Sequence, residues 1–496
     1  MAWIWVAIAT IAFLYLLHQW RRNQLSNKKK LPPGPKGLPI IGHFHLLSKN
    51  PHQDLHRLAR KHGPIMYTRF GSIPTVVVSS PAAAELFLKT HDLIFANRPH
   101  HEAAYYISYQ QRNLVFSRYG DYWRDMRKLC TLELLSSLKI AQFEPMRKSE
   151  LGILVNSLRE AAAARETVDI SVRVASLSAD TTCLMVFGRK FADGDLQERG
   201  LKEVMKETME EAAAFNLGDY FPYLRWLDLQ GSARRLKKLS KIFDAFLERI
   251  IDDHVQNKEK ASTHDFVDTM MAILDSGEAG FDFDRRHVKA VLLDMLLAGM
   301  DTSAAAVEWI LSEALRHPTE MKKLQNELEE IVGPKQMVEE SHLSSLKYLD
   351  CFIKESMRLH PVSSLLIHES MQDCEVDGLH IPNGTRVLVN VWAIGRDPDA
   401  WVDPETFAPE RFLESSVDLR GRDFQLIPFG SGRRGCPGML LGLTMVRLMV
   451  AQLVHCFDWE LPHGMMPADL DMSENYGLVT SRTNHLMAIP VYRLHV

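Results

Sequence analysis

A glycine-rich stretch around a single cysteine carries the most distinctive chemistry in this sequence. It covers residues 428–438 and contains Cys436, with Arg433 and Arg434 just before it. Glycines let a loop approach a flat ligand closely and direct backbone N–H groups at a sulfur, and neighbouring arginines favour a thiolate. The pattern turns helical over Met439–Cys456, and the N-terminal dipole of that helix would also stabilise negative charge. A phosphate-binding loop is the alternative, but its Gly-Lys-Ser/Thr ending is absent.

An acid and an alcohol stand side by side in a long apolar run. Asp301 and Thr302 follow Ala298 and Gly299, where bulky side chains give way to small ones. Burial of such polar groups is costly unless they have partners. The Thr302 hydroxyl could bond back to a carbonyl and locally open the helix. The pair therefore either forms a buried polar kink in the helix or lines a groove that holds dioxygen and the water that brings protons to the dioxygen.

Two further patterns place charged groups on helix faces. Glu355 and Arg358 share one face, and Arg411 follows later in the chain. A carboxylate with two arginines forms a charge-assisted network when it is buried, although a solvated i,i+3 pair is the alternative. Trp123 and Arg127, at i and i+4, direct an indole N–H and a guanidinium to one side. The alternative is a helix that covers the core and leaves its arginine in water.

Together these motifs resemble the cytochrome P-450 family of haem-thiolate monooxygenases. The family signature Phe-x-x-Gly-x-Arg-x-Cys-x-Gly is filled by Phe429, Gly432, Arg434, Cys436 and Gly438. The oxygen-activating motif, the Glu-x-x-Arg pair and the later arginine that locks onto it appear in the family order. The resemblance covers essentially the whole chain from the proline-rich segment onward, and residues 392–398 and 420–429 look specifically like plant microsomal members.

The resemblance implies a mainly α cytochrome P-450 fold with a long central helix, a buried haem b and small β-sheets. Cys436 would be the metal ligand, and Asp301 and Thr302 would be the catalytic residues that deliver protons. The implied cofactor-binding residues are Trp123, Arg127, His368, Phe429, Arg434 and Cys436. Trp123 and Arg127 would hold one haem propionate and His368 would contact the other, although His368 could instead be a simple polar residue at the end of a strand.

The implied activity is NADPH- and O2-dependent hydroxylation of a small, lipophilic plant specialised metabolite, either a phenolic or a terpenoid. Electrons would arrive from NADPH through a membrane-bound NADPH-cytochrome reductase, since no part of the sequence resembles a flavin or nicotinamide domain. Two alternatives are a haem-thiolate isomerase or dehydratase, which needs no proton relay, and a catalytically silent ligand-binding protein. Aromatic residues at 100–109 and 215–223 could line a substrate pocket, or belong to the core or a surface loop.

The N-terminus has the composition of a membrane anchor. Residues 1–20 are almost entirely apolar, with tryptophans at both ends, and basic residues follow immediately. We therefore predict a single-pass anchor over residues 1–20, a basic and proline-rich hinge over 21–39, and a catalytic domain over 40–496. Positive charge after the anchor places this domain on the cytoplasmic side of the endoplasmic reticulum. A cleaved secretory signal fits less well, because the apolar run has no basic residues before it and no cleavage site after it.

Composition excludes some classes of protein. The 496-residue chain has a net charge of −4, which argues against a nucleic-acid partner. Its six cysteines form no C-x-x-C pair, so neither a disulfide framework nor a zinc site is indicated. Periodicity predicts helices at 51–63, 198–214, 233–257 and 287–316, a hairpin at 65–79, and strands at 374–381, 385–391 and 486–492.

Overall fold

The computed structural model describes residues 30–191, 200–256, 265–277 and 279–494. The predicted anchor and residues 21–29 of the predicted hinge lie outside them. Helices make up most of the described chain, as expected for a mainly α protein. In chain order they are α1 (Pro51–His62), α2 (Pro81–Glu85), α3 (Asp92–Phe95), α4 (Glu102–Ile107), α5 (Asp121–Leu129), α6 (Ser137–Gln142), α7 (Glu144–Ala164), α8 (Ile170–Phe187), α9 (Leu201–Ala213), α10 (Leu217–Tyr220), α11 (Ser232–Gln256), α12 (Phe266–Ser276), α13 (Arg285–Arg316), α14 (Pro318–Ile331), α15 (Lys347–Leu359), α16 (Val391–Ile394) and α17 (Met439–Cys456).

The longest helix, α13, lies at the centre of the molecule. Asp284 caps its N-terminus by accepting hydrogen bonds from the first turn, and the Asp284 N–H donates in return to His287 Nδ1. Pro318, two residues beyond the end of the helix, cannot continue it. The helix packs against α8, α12, α15 and α17, so most of its surface is buried. The predicted helix at 287–316 is therefore confirmed, with its start at Arg285.

The other predicted helices also form, with small changes at their ends. The helix predicted at 51–63 is α1, and the one predicted at 233–257 is α11. The helix predicted at 198–214 is observed as α9, which begins at Leu201 and ends at Ala213. In the described ranges, α8, α13 and α17 are long and apolar enough to cross a membrane by length and composition. More than half of the apolar stretch of each is buried inside the protein, so core packing accounts for their hydrophobicity.

Within the described ranges, four small sheets accompany the helices. The strands are β1 (Ile65–Phe70), β2 (Ile73–Val78), β3 (Val168–Asp169), β4 (Leu365–Glu369), β5 (Cys374–Val376), β6 (Leu379–Ile381), β7 (Arg386–Asn390), β8 (Phe457–Glu460), β9 (Glu474–Asn475), β10 (Ser481–Arg482) and β11 (Met487–Tyr492). The largest sheet has the order β1-β2-β7-β4, with β2 and β7 parallel and the other pairs antiparallel. The predicted β1–β2 hairpin is confirmed.

One strand prediction was wrong. The stretch 374–381 is not a single strand but the hairpin β5–β6, in which Cys374 pairs with Ile381. Its turn is Asp377-Gly378, and both residues have positive φ, 51° and 70°. This is the backbone of a tight two-residue hairpin turn, for which Asp-Gly is a strong signal.

The proline-rich segment is attached to the domain over its described part. Residues 30–37 follow an extended course without regular secondary structure. The Pro33 carbonyl accepts a hydrogen bond from Tyr67 N (2.8 Å), and the Lys30 carbonyl accepts one from His380 N (2.7 Å). These bonds join the segment to β1 and β6.

Candidate active site

The glycine-rich loop turns sharply just before α17 and presents Cys436. Gly432 begins a short 3-10 turn with φ of 66°, and a Cβ there would lie 2.4 Å from the Leu88 carbonyl oxygen. Only glycine fits this position. The Cys436 N–H donates to the Phe429 carbonyl (2.8 Å), which closes the loop. Cys436 is accessible, unlike the buried Cys130, although the protein surrounds its sulfur closely.

The electrostatics of the Cys436 thiol differ from the expectation. Enclosure by protein raises its pKa through desolvation, while a hydrogen bond from the Gly438 N–H and the charge of Arg127 lower it. The adjacent arginines contribute little, because they turn away from the sulfur. Arg433 pairs with Asp92 at 3.2 Å, and Arg434 donates to backbone carbonyls elsewhere. The prediction that the neighbouring arginines favour the thiolate was therefore wrong, and Arg127 has that role.

Trp123 and Arg127 lie on one side of α5, as their spacing predicted. The Trp123 indole N–H donates to the Leu114 carbonyl (3.0 Å), and Arg127 Nη2 donates to the Gly435 carbonyl (2.7 Å). The Arg127 guanidinium carbon is 5.5 Å from the centre of the indole ring. This helix face is therefore joined directly to the cysteine loop.

Arg434 and His368 approach the same region from other elements. Arg434 stacks on the Trp123 ring at 4.2 Å and donates to the Ala96 and Ser117 carbonyls, both at 2.6 Å. Its Nη1 atom is buried and has no hydrogen-bond partner in the described structure. His368, on β4, is buried and donates from Nδ1 to the Phe95 carbonyl (3.0 Å).

A further arginine, Arg98, belongs to this group and was missed in the sequence. It lies in the connection after α3, donates to the Val115 carbonyl (3.1 Å), and also bonds to the Ile367 carbonyl beside His368. No periodicity or motif marks it, because it stands in an irregular segment. Only the fold brings it close to a residue such as Arg434, more than 300 positions away.

These cationic groups repel one another. Burial and the neighbouring positive charges lower the pKa of Arg98 to about 10 and that of Arg434 to about 8. The same causes lower the pKa of His368 to about 3, so its ring is neutral. In the described part of the chain, neither these two arginines nor Arg127 has a carboxylate within ion-pair distance. Arg434 is buried, and Arg98 and Arg127 are half-buried. A largely enclosed cluster of positive charges fits a ligand with more than one negative charge, such as the two propionates of haem.

The central helix brings Asp301 and Thr302 to a more open face of α13. The Thr302 hydroxyl donates to the Ala298 carbonyl (2.7 Å). Thr302 is exposed and Asp301 is half-buried, although most of the surrounding helix is buried. Burial raises the pKa of Asp301. The expected backward bond is present, but the expected opening of the helix is not, since α13 continues unbroken through it.

Gly299 has a packing role that the sequence did not suggest. A Cβ at this position would lie 2.9 Å from the Thr182 side chain of α8. The Ser178 hydroxyl of the same helix donates to the Gly299 carbonyl (3.0 Å). The small residue therefore lets two helices approach closely, and their contact fixes the turn that carries Asp301.

Glu355, Arg358 and Arg411 form the predicted buried network. Arg358 Nε and Nη2 bind the Glu355 carboxylate at 2.7 and 2.8 Å, and Arg411 Nε binds it at 2.9 Å. The Glu355 and Arg358 side chains have no solvent exposure, and that of Arg411 is 14% exposed. The solvated pair is therefore excluded, and this network connects α15 to the turn at Pro409–Phe412.

The aromatic segments are held largely by contacts with protein. Phe215 stacks on Tyr220, and both contact Phe44 near the N-terminus of the described chain. The Tyr109 hydroxyl donates to Asp244 (2.8 Å) on α11. The His101 ring stacks on Phe116 at 5.6 Å. These contacts give the residues structural roles and do not by themselves define a substrate pocket.

Comparison with known proteins agrees with the motifs and the geometry. Residues 32–488 match the cytochrome P450 family. The chain is 50% identical over 480 residues to cytochrome P450 CYP736A12 of Panax ginseng, covering 95% of each chain. It is 42% identical over 510 residues to cytochrome P450 750A1 of Pinus taeda, covering 99% of this chain and 96% of that one. It is 40% identical over 502 residues to flavonoid 3'-monooxygenase CYP75B137 of Crocosmia x crocosmiiflora, covering 99% and 98%. The chain therefore belongs to the cytochrome P450 family of haem-containing monooxygenases, which receive electrons from NADPH through a reductase.

Proposed function

We propose that Cys436 is the thiolate ligand of haem b in an enzyme that hydroxylates a small, lipophilic plant specialised metabolite. The observation that carries the proposal is a cluster of three arginines, none with an acidic partner in the described chain, beside the loop of one accessible cysteine. Arg127 connects the cluster to the loop directly, because it donates to the Gly435 carbonyl and its charge opposes the rise that desolvation causes in the pKa of the Cys436 thiol.

Different residues around the loop would bind the two haem propionates. Trp123 and Arg127 would bind one propionate, while Arg98, Arg434 and His368 would bind the other. Because neutral His368 donates from Nδ1 to a carbonyl, it can donate to a carboxylate only after it gains a second proton. A bound propionate would favour that proton. Phe429 closes the cysteine loop and would pack beside the ligand.

Asp301 and Thr302 would handle protons in the reaction. When bound, haem activates dioxygen for insertion of one oxygen atom into a C–H bond, chemistry that no side chain supplies. Asp301, whose pKa is raised by burial, can carry a proton near neutral pH more readily than an ordinary aspartate. The Thr302 hydroxyl, which donates to the Ala298 carbonyl, can order the water that receives the proton from Asp301.

A phenolic or a terpenoid is the substrate class that we propose. Support comes from one relative, whose name describes it as a flavonoid 3'-monooxygenase. Phenolics and terpenoids are both largely apolar and carry few hydrogen-bonding groups, as small molecules that bind in apolar protein pockets generally do. Substrate-induced shifts in the haem absorption spectrum would separate the two classes in a panel of compounds.

We also propose that the enzyme works on the endoplasmic reticulum membrane. The apolar composition of residues 1–20 and the basic residues after them support a single-pass anchor with the catalytic domain, residues 40–496, in the cytoplasm. Its partners would be an NADPH-cytochrome reductase, dioxygen and the lipophilic substrate. Fractionation of cells and protease protection of microsomes would test this arrangement.

Replacement of Cys436 by serine tests the ligand assignment. Serine is a harder and less acidic donor, so the reduced, carbon-monoxide-bound absorption band that is typical of thiolate-ligated haem should disappear. Cys374→Ser is the matched control, because Cys374 is a free, partly exposed cysteine outside the loop. Retention of the band in Cys436→Ser, or its loss in Cys374→Ser, would contradict the assignment.

Oxygen consumption tests the reaction class. With reductase, NADPH and substrate present, a monooxygenase consumes dioxygen and NADPH in step with hydroxylated product. A haem-thiolate isomerase or dehydratase would turn over a hydroperoxide without NADPH, and a silent binding protein would consume neither. Either of those results would overturn the proposed hydroxylase.

A further inference from the structure

A short irregular segment between α4 and α5, residues 113–117, is tied to the central helix by one carboxylate. Asp294 of α13 accepts hydrogen bonds from Asn113 Nδ2 (2.5 Å), Leu114 N (2.7 Å) and Val115 N (3.3 Å). Asp294 is 7% exposed. A buried acid with three donors converging on it fixes the position of those donors.

The carbonyl groups of the same segment receive the donors of the cationic cluster. The Leu114 carbonyl accepts from the Trp123 indole (3.0 Å), and the Val115 carbonyl accepts from Arg98 (3.1 Å). The Ser117 carbonyl accepts from Arg434 (2.6 Å). One stretch of backbone therefore binds Asp294 through its N–H groups and three proposed haem-binding side chains through its C=O groups.

The segment depends on side-chain bonds for its shape. It belongs to no helix or strand, so no regular ladder of backbone bonds holds it. Within it, Asn113 Oδ1 accepts from Phe116 N (3.0 Å), and the Ser117 hydroxyl donates to the Gln111 carbonyl (2.7 Å). Burial raises the pKa of Asp294 to about 7, while its three hydrogen bonds oppose that rise. The ionised Asp294 carboxylate therefore lies in an environment where desolvation disfavours its charge.

We propose that Asp294 is a positioning residue, which orders residues 113–117 and through them sets Trp123, Arg98 and Arg434 for the haem propionates. This inference rests on the proposed function, because it takes the cationic cluster to be the propionate site. Asp294 lies seven residues, about two helical turns, before Asp301. The central helix would therefore contribute Asp294 to the positioning of the cofactor and Asp301 to proton delivery.

Two carboxyl-to-amide replacements on the same helix test the role. In Asp294→Asn the new amide N–H group faces the Asn113 amide, so donor meets donor and the segment loses its anchor. Glu308→Gln is the matched control, since Glu308 is also 7% exposed, also has a pKa raised by burial, and binds Ser171 away from the cluster. The exchange Asn113→Asp with Asp294→Asn puts the carboxylate on the other partner and should restore the bond.

The measurements report on how the protein holds the haem propionates and not on catalytic activity. Purified ferric holoprotein is mixed with excess apomyoglobin, and the rate of haem transfer is recorded at a pH above 7, where Asp294 is ionised. Loss of an outer partner of a metal or cofactor ligand typically weakens binding about 10- to 100-fold, so haem loss from Asp294→Asn should accelerate by that factor. Its propionate-bending band in the resonance Raman spectrum should shift. Glu308→Gln should stay within about twofold of the parent, and the exchange variant should recover most of the difference.

The outcomes separate this inference from the proposed function. If the parent lacks the thiolate-type carbon-monoxide band, the haem assignment itself fails. If the parent has the band but Asp294→Asn matches it in haem loss and Raman spectrum, only the role of Asp294 is overturned. Equal acceleration in Glu308→Gln, or no recovery in the exchange variant, overturns it too. If Asp294→Asn forms no holoprotein, recovery of holoprotein in the exchange variant supports the role and failure of both contradicts it.

Discussion

Replacement of Arg358 by alanine should leave a protein that cannot retain haem, because the network around Glu355 collapses. In the structure Arg358 binds both oxygens of the Glu355 carboxylate and donates to the carbonyls of Gly395, Pro404 and Thr406. The Arg358 side chain has no solvent exposure. Water therefore cannot replace these bonds without rearrangement of the fold.

The magnitude follows from the groups that lose their partner. Breaking a buried ion pair costs about 3–5 kcal/mol. Each buried carbonyl left without a donor adds roughly 1 kcal/mol or more, and Arg358 serves one buried carbonyl, that of Gly395, and two part-buried ones. The total, at least about 4 kcal/mol, is a large part of the free energy of unfolding of a typical domain, about 5–15 kcal/mol. Arg411 and the Ala408 N–H would still bind Glu355, so some local order would remain.

Thermal unfolding and the haem-to-protein ratio of purified protein measure this effect. Arg447→Ala is the control, since Arg447 pairs with Asp350 while their side chains are 28% and 38% exposed. A pair of that kind contributes less than about 1 kcal/mol, so this variant should load haem normally. Arg358→Lys keeps the charge but cannot make all the bonds, and should fall between the two. Normal haem content and an unchanged melting temperature in Arg358→Ala would refute the reasoning.

Three other perturbations test separate parts of the molecule. Thr302→Ala should leave haem content and the carbon-monoxide spectrum unchanged. It should give less hydroxylated product and more hydrogen peroxide per NADPH, with product falling by at most about 10²–10⁴-fold. An unchanged product yield per NADPH would show that Thr302 has only a structural role. Arg124 and Lys128 are exposed on α5, so changing both to Glu should slow reductase-driven turnover in a salt-dependent manner and spare peroxide-driven turnover; equal loss by both routes would indicate a folding defect. Hydrogen bonds from His52 and other donors lower the pKa of Glu474 to about 2. Its contribution to stability is therefore present above pH 4.5 and is lost as the pH falls toward 2. Glu474→Gln should lower the free energy of unfolding by up to about 3 kcal/mol at pH 7 and weaken its dependence on pH in acid; an unchanged pH dependence would contradict this.

The parts of the molecule that the sequence predicted well are those governed by local pattern. The cytochrome P450 fold, the long central helix and the β1–β2 hairpin each follow from periodicity or from motifs with fixed spacing. The error at 374–381 was also local, because the Asp377-Gly378 turn that divides the stretch is itself a two-residue signal for a hairpin. Such features can be read from a few consecutive residues.

Contacts between distant segments could not be predicted in the same way. Arg434 lies 338 positions from the Ala96 carbonyl that it binds, and nothing in either segment marks the pair. Arg98 and Asp294 were missed because each stands outside any motif, and each gains its meaning only from backbone groups that the fold brings to it. The direction of Arg433 and Arg434 away from the sulfur is set by the Gly432 turn, which spacing alone does not reveal.

On the proposed role as the propionate site, the cluster of Arg98, Arg127 and Arg434 also limits how this chain can evolve. Positive charges without acidic partners destabilise a fold, and uncharged replacements of similar size would relieve the repulsion among Arg98, Arg127 and Arg434. A descendant that no longer bound an anionic cofactor would gain stability from almost any such replacement, and drift would remove the arginines within a modest number of substitutions. A lineage that still carries all three, with no carboxylate introduced beside them, is under selection to keep its cofactor. The same three positions would therefore distinguish working enzymes from silent descendants among close relatives before any assay is made.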